Sequence, residues 1–107
     1  MSVRALLHAP ASARRGEVVE IRALIAHPME TGHRRDSGGR LLPRDLVRTL
    51  EARFEGELVF AAELHAAVAA NPYLAFHLRL PGSGTLTVRW AGDRGFAHAE
   101  SVRIEAT

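Results

Sequence analysis

A two-residue rhythm of apolar side chains constrains this chain more than any other feature. In the run 18–27, Val19, Ile21, Ala23 and Ile25 share a face opposite Glu20 and Arg22. Leu74, Phe76, Leu78 and Leu80 alternate with Tyr73, Ala75, His77 and Arg79, and Leu86, Val88 and Trp90 alternate with Thr85, Thr87 and Arg89. In the last segment Phe96, Val102 and Ile104 fall on one face, with His98 and Glu100 between them. Successive residues of a strand point to opposite sides, so this period puts the apolar set on one surface of a sheet. Strands apolar on one face only suit antiparallel sheets that share a core.

Turn formers divide the strands. Glu55-Gly56 links 50–54 to 58–64 as a hairpin, Gly82-Ser83-Gly84 precedes the Trp90 strand, and Gly92-Asp93-Arg94-Gly95 follows it. The first strand, 3–8, ends before Pro10, as a first or edge strand does. Two segments carry mixed signals. Residues 43–54 place Leu46, Val47, Leu50 and Phe54 at helical spacing after Pro43, yet read mainly as strand from about residue 48. The alanine-rich run 61–70 stops at Asn71-Pro72 and predicts a helical turn near 65–70. About seven short strands at this spacing predict an all-β, two-sheet sandwich of immunoglobulin or fibronectin type III kind, filling residues 1–107 as a single domain.

Composition removes several function classes. There is no cysteine, which rules out disulfides, zinc thiolates, iron–sulfur ligation and a thiol nucleophile in this chain. No apolar run reaches the ~18 residues that cross a bilayer as a helix. The stretch Ala5-Leu6-Leu7 is too short for the apolar part of a signal peptide and is broken by His8 and Pro10. Gln and Lys are absent and Asn occurs once, a pattern of thermophilic or GC-rich sources. The formal charge is only +2, but it is uneven. Residues 33–48 hold five Arg (34, 35, 40, 44, 48) against Asp36 and Asp45, a local +3, while the other nine Arg face ten carboxylates. Such a cluster attracts anions or an acidic partner face. Nucleic-acid binding calls for a larger basic stripe with stacking aromatics, and the aromatics here occupy strand positions.

No catalytic set is legible. The serines lie at the terminus, in Gly-rich turns or on the last strand, and neither a Gly-x-Ser-x-Gly elbow nor a phosphate-cradling loop is present. Six histidines show no metal-ligand spacing. His27, Met29 and His33 could gather around copper through the soft thioether; the plainer reading has His27 ending a strand, Met29 packing and His33 in solvent. Thus no catalytic residue, metal or cofactor is expected. What remains is recognition. The run His27-Pro28-Met29-Glu30-Thr31-Gly32-His33-Arg34-Arg35-Asp36 is richer in specific side chains than a turn requires, and Asn71-Pro72-Tyr73-Leu74 offers Tyr73 as an amphipathic anchor. A generic fibronectin-like module binding protein or carbohydrate, with no redox role, fits the same pattern.

The blocks His27-Pro28-Met29-Glu30-Thr31-Gly32, Arg35-Asp36 with Pro43-Arg44, and Asn71-Pro72-Tyr73-Leu74, in that order between Gly16 and Ile104, resemble the signature of the SoxZ family. Ala66 and Glu55-Gly56 depart from it, at Pro and Asn-Gly positions respectively. The resemblance implies an immunoglobulin-like, non-catalytic subunit of the sulfur-carrier heterodimer of bacterial thiosulfate oxidation. Its SoxY partner holds the sulfur intermediate on a cysteine of a flexible Gly-rich arm. It further implies a periplasmic location reached by co-export with the signal-bearing partner, and transient contacts with other sulfur-oxidation enzymes, with neither nucleic acid nor membrane as partner. The residues expected at the partner surface are His27, Pro28, Met29, Glu30, Thr31, Gly32, Arg34, Arg35, Asn71, Pro72 and Tyr73. Either sheet can face the partner on this reading, and an edge left open in its absence favours a homodimer.

Overall fold

The computed structural model describes residues 3–107. Its strands are β1 (Ala5–His8), β2 (Ser12–Ala13), β3 (Val18–Ile25), β4 (Val47–Phe54), β5 (Glu57–Glu63), β6 (Tyr73–Arg79), β7 (Gly84–Gly92) and β8 (Ala97–Ala106). They form a three-stranded sheet in the order β1-β3-β6 and a five-stranded sheet in the order β2-β8-β7-β4-β5. All pairings are antiparallel except β2 with β8. This is the two-sheet sandwich that the alternation predicts. The additional strand is β2: the chain kinks at Pro10, leaves the three-stranded sheet and joins the other, a switch that turns the corner between packed sheets.

The alternation maps onto burial position by position. Val19, Ile21, Ala23 and Ile25 from β3 meet Leu50, Ala52 and Phe54 from β4 and Leu86, Val88 and Trp90 from β7 in one core. Phe60 of β5 stacks flat on Phe76 of β6, ring centroids 4.4 Å apart, and so closes one side of the sandwich between two edge strands. The β4–β5 hairpin turns through Glu55 (φ 49°) and Gly56 (φ 85°), both left-handed, as a two-residue hairpin matching strand twist requires.

The first mixed segment resolves to strand, and the second to the end of a strand followed by a turn. Residues 47–54 become β4, paired on both sides by β5 and β7, and that central pairing outweighs the helical spacing. In the alanine-rich run β5 extends to Glu63, and the remainder is too short to nucleate a helix. Where a helical turn is expected at 65–70 there is a β-turn, the Val68 N–H donating to the His65 carbonyl at 2.9 Å.

Gly92 closes β7 against the start of β4, where the register slips between Val47 and Thr49. A Cβ there would stand 2.2 Å from the Leu46 carbonyl oxygen and 2.9 Å from the Val47 Cα, both backbone atoms. Gly92→Ala is therefore expected to lower stability by about 1–3 kcal/mol in urea titrations, whereas Gly82→Ala, with open space around it, changes it by less than about 0.5 kcal/mol.

Candidate functional site

The β3 rhythm does not stop with the strand. Burial alternates through Ile25, Ala26, His27, Pro28 and Met29, so His27 and Met29 take inward positions and Pro28 an outward one. His27 is only 6% exposed and Met29 only 5%. Asn71, in the turn before β6, grips His27 twice: its N–H donates to the His27 carbonyl at 2.7 Å, and its Oδ1 accepts the His27 N–H at 2.9 Å. To do this Asn71 adopts φ 53°, a left-handed conformation that Asn tolerates better than most residues. The Met29 N–H donates to His27 Nδ1 at 3.0 Å, which places the ring hydrogen on Nε2, on the side of Asp45. Phe96, from the β7–β8 connection, meets the imidazole edge-on at 5.0 Å.

Met29 carries the connection across to the other sheet. It sits at φ 52°, and its sulfur accepts the Val47 N–H at 3.3 Å, at the first residue of β4. Glu30 and Asp45 then exchange backbone hydrogen bonds of 2.8 and 2.7 Å. One end of the sandwich is thus tied by residues from β3, β4, the turn before β6 and the β7–β8 connection. His27 Nδ1 and the Met29 sulfur, two of the atoms a copper site would use, each accept a backbone N–H. Among the described residues no three His, Cys, Asp or Glu side chains group as a metal site.

Beyond the Glu30–Asp45 pair the chain forms an irregular hairpin arm. Leu42 donates to the Arg34 carbonyl and Asp36 to the Arg40 carbonyl, both at 2.8 Å. At the tip the Asp36 side chain accepts the Gly38 and Arg40 N–H groups, and Arg35 Nη1 donates to the Gly39 carbonyl at 2.7 Å. The Arg34 guanidinium bonds Glu30 at 2.6 Å and holds that carboxyl below the usual glutamate range. Gly32 (φ 87°) lies against Arg44, where a Cβ would come 3.2 Å from that of Arg44. Thr31 turns its hydroxyl to the His33 N–H at 3.3 Å.

A second polar node braces the root of this arm. The Asp93 carboxylate accepts the Leu46 N–H at 3.0 Å and Arg48 Nε at 3.1 Å, with Arg44 Nε 3.4 Å away. Burial pushes this carboxyl upward, but Arg48, the Leu46 N–H and Arg44 together outweigh it and leave it below the usual aspartate value. The arm, the 64–66 loop and Asp93 border an open cleft of about 790 Å³.

The residues expected at a partner surface therefore divide. His27, Met29 and Pro72 are interior; Glu30, Thr31 and Gly32 are half-buried along the arm; Pro28, Arg34, Arg35, Asn71 and Tyr73 reach the surface. Tyr73 belongs to a feature that reading by motif passes over. The register places Leu6 of β1 opposite Leu24 of β3, and Leu24 opposite Tyr73 of β6. The three form an apolar row across the outer face of the three-stranded sheet, with Leu6 62% and Tyr73 55% exposed. The signal was available: Leu24 is apolar in the slot that Glu20 and Arg22 fill with charge.

Among known families, the one described as sulphur oxidation protein SoxZ matches residues 7–103. No curated protein matches the chain. Similar solved structures share the fold at low identity. A superoxide reductase (neelaredoxin) from Ignicoccus hospitalis is 17% identical with a TM-score of 0.74, covering 98% of this chain and 82% of that one. A putative superoxide reductase from Thermotoga maritima is 18% identical with a TM-score of 0.74, covering 96% and 85%. The sulfur carrier protein SoxY from Chlorobium limicola f thiosulfatophilum is 13% identical with a TM-score of 0.67, covering 96% and 78%.

The double grip of Asn71 gives a graded expectation. Asn71→Ala loses the side-chain acceptor and places a Cβ residue with no polar side chain in the left-handed region, for a loss of about 2–4 kcal/mol in urea unfolding. Asn71→Gly loses only the acceptor and is expected to cost about 1–2 kcal/mol. Losses below about 0.5 kcal/mol in both, the range of an ordinary surface change, would contradict the clamp.

Proposed function

Because this chain belongs to the SoxZ family of sulphur oxidation proteins, we propose that it is the non-catalytic scaffold of a sulfur-carrier heterodimer in bacterial thiosulfate oxidation. Its partner is a SoxY-type subunit whose cysteine bears the covalently bound sulfur intermediate. The family match over residues 7–103 carries this reading. The composition supports it: a chain with no cysteine leaves thiol chemistry to another subunit. The surface supports it as well. An exposed apolar row bordered by polar residues is the usual mark of a protein-binding face. We assign the row Leu6–Leu24–Tyr73, with Pro28 and Asn71 at its end, to the partner.

This places the three-stranded sheet, rather than the five-stranded one, against SoxY. Tyr73 is the natural anchor, since an exposed aromatic with a polar tip contributes area at little entropic cost. The basic arm is left for transient contacts with other sulfur-oxidation enzymes. Co-export with a signal-bearing partner puts the complex in the periplasm.

Co-expression with a SoxY-type subunit tests the assignment. The wild-type chain is expected to co-elute as a 1:1 heterodimer. Tyr73→Asp and Leu6→Asp are each expected to weaken it by about tenfold or more, a loss of ~1.4 kcal/mol or above, with unchanged urea midpoints. No heterodimer at all would overturn the function; an intact one in both variants would overturn the face.

A further inference from the structure

We infer that the cleft at the root of the arm is a binding site for a sulfate-class oxyanion, held between Arg44 and Arg48. Both reach Asp93 through Nε, at 3.4 and 3.1 Å, and among the described residues neither donates a hydrogen bond from its Nη groups. The Asp93 side chain is 18% exposed, against 56% for Arg44 and 38% for Arg48. The carboxylate is the more buried partner, also fixed by the Leu46 N–H, while the more exposed Arg44 and Arg48 both line the cleft.

Such a pair is preorganised. Asp93 hydrogen-bonds Arg48, keeps Arg44 at ion-pair distance and neutralises only one of the two charges, so a net positive charge with free donors remains. A guanidinium fork matches the paired oxygens of a sulfate or sulfonate better than a point charge does. His33 and His65 line the same cleft and add ring nitrogens that can donate. Leu42 and Pro43 supply apolar wall, suited to a carbon chain attached to the anion. The volume of about 790 Å³ lies within the range of ligand clefts and is far larger than a bare sulfate needs. The shared chemistry is an oxyanion. Its source is either a free ion or the end group of a flexible segment brought in by the partner. The inference rests on the carrier-complex reading for that second source and for the choice of a sulfur oxyanion over phosphate.

The experiment is calorimetric titration of the full chain at low ionic strength with sodium sulfate, and separately with a pentaglycine peptide bearing a terminal sulfonate. Arg44→Gln and Arg48→Gln are each expected to weaken binding by about fivefold or more. Arg89→Gln, on β7 outside the cleft, removes the same charge and is expected to leave the affinity within about twofold. This contrast does not follow from the loss of net charge, and a urea transition recorded for each variant separates it from loss of folding. Tighter binding of the peptide than of sulfate assigns the anion to a partner-borne segment, and equal binding assigns it to the free ion; both uphold the site. Absence of binding by either probe, or affinities moved no more by Arg44→Gln and Arg48→Gln than by Arg89→Gln, overturns it. Heterodimer formation is measured in parallel: if pairing persists while the anion fails to bind, only this inference falls.

Discussion

The functional end of this molecule depends on one buried imidazole. His27 accepts a hydrogen bond on its ring from Met29, is held on its backbone by Asn71, and is packed edge-on by Phe96. Three separate parts of the chain converge there, and Met29 extends the tie to the first residue of β4. Two non-glycine residues take left-handed backbone conformations to make it possible, each at a cost of about 1–2 kcal/mol. The hydrogen bonds and burial they permit offset that strain. The result is a rigid root from which the basic arm projects and beside which the apolar row of the three-stranded sheet is displayed.

The clamp recasts the most distinctive stretch of the chain. A loop crowded with histidine, methionine and arginine reads as a recognition surface when loops are taken as sites on a scaffold. Here its first histidine and its methionine, His27 and Met29, face inward. In the proposed pairing, recognition falls to residues beside them: Pro28 next to His27, Tyr73 two residues beyond Asn71, and the arginines of the arm. The strained residues are the means of holding that surface still, which is how a binding face gains affinity without new contacts.

Much of this was legible in the amino-acid order. Alternation located the long strands, because a period of two admits no other regular structure with one buried face. It also contained the placement of His27 and Met29, since the odd-numbered parity of Val19, Ile21, Ala23 and Ile25 runs on into the loop. What alternation could not provide was partnership between distant segments. The Asp93 node joins residues on either side of the β4–β7 pairing, and the row Leu6–Leu24–Tyr73 exists only once three strands are in register. The β-turn at 65–68 escaped for the opposite reason: helix propensity is a local quantity, and the few residues left between β5 and Asn71 are too short a run for it to decide the outcome.

The central claim is that the signature residues brace the fold while the outer face of the three-stranded sheet meets the partner. Amide hydrogen exchange, residue by residue, with and without a SoxY-type subunit, tests it most directly. The account predicts that the amides of His27, Met29, Val47 and Asn71 are protected in the free chain and change little on pairing, while exchange slows along β1 and at the start of β6. Free exchange at Met29 and Val47 in the isolated chain, with protection arising only in the complex, would contradict it.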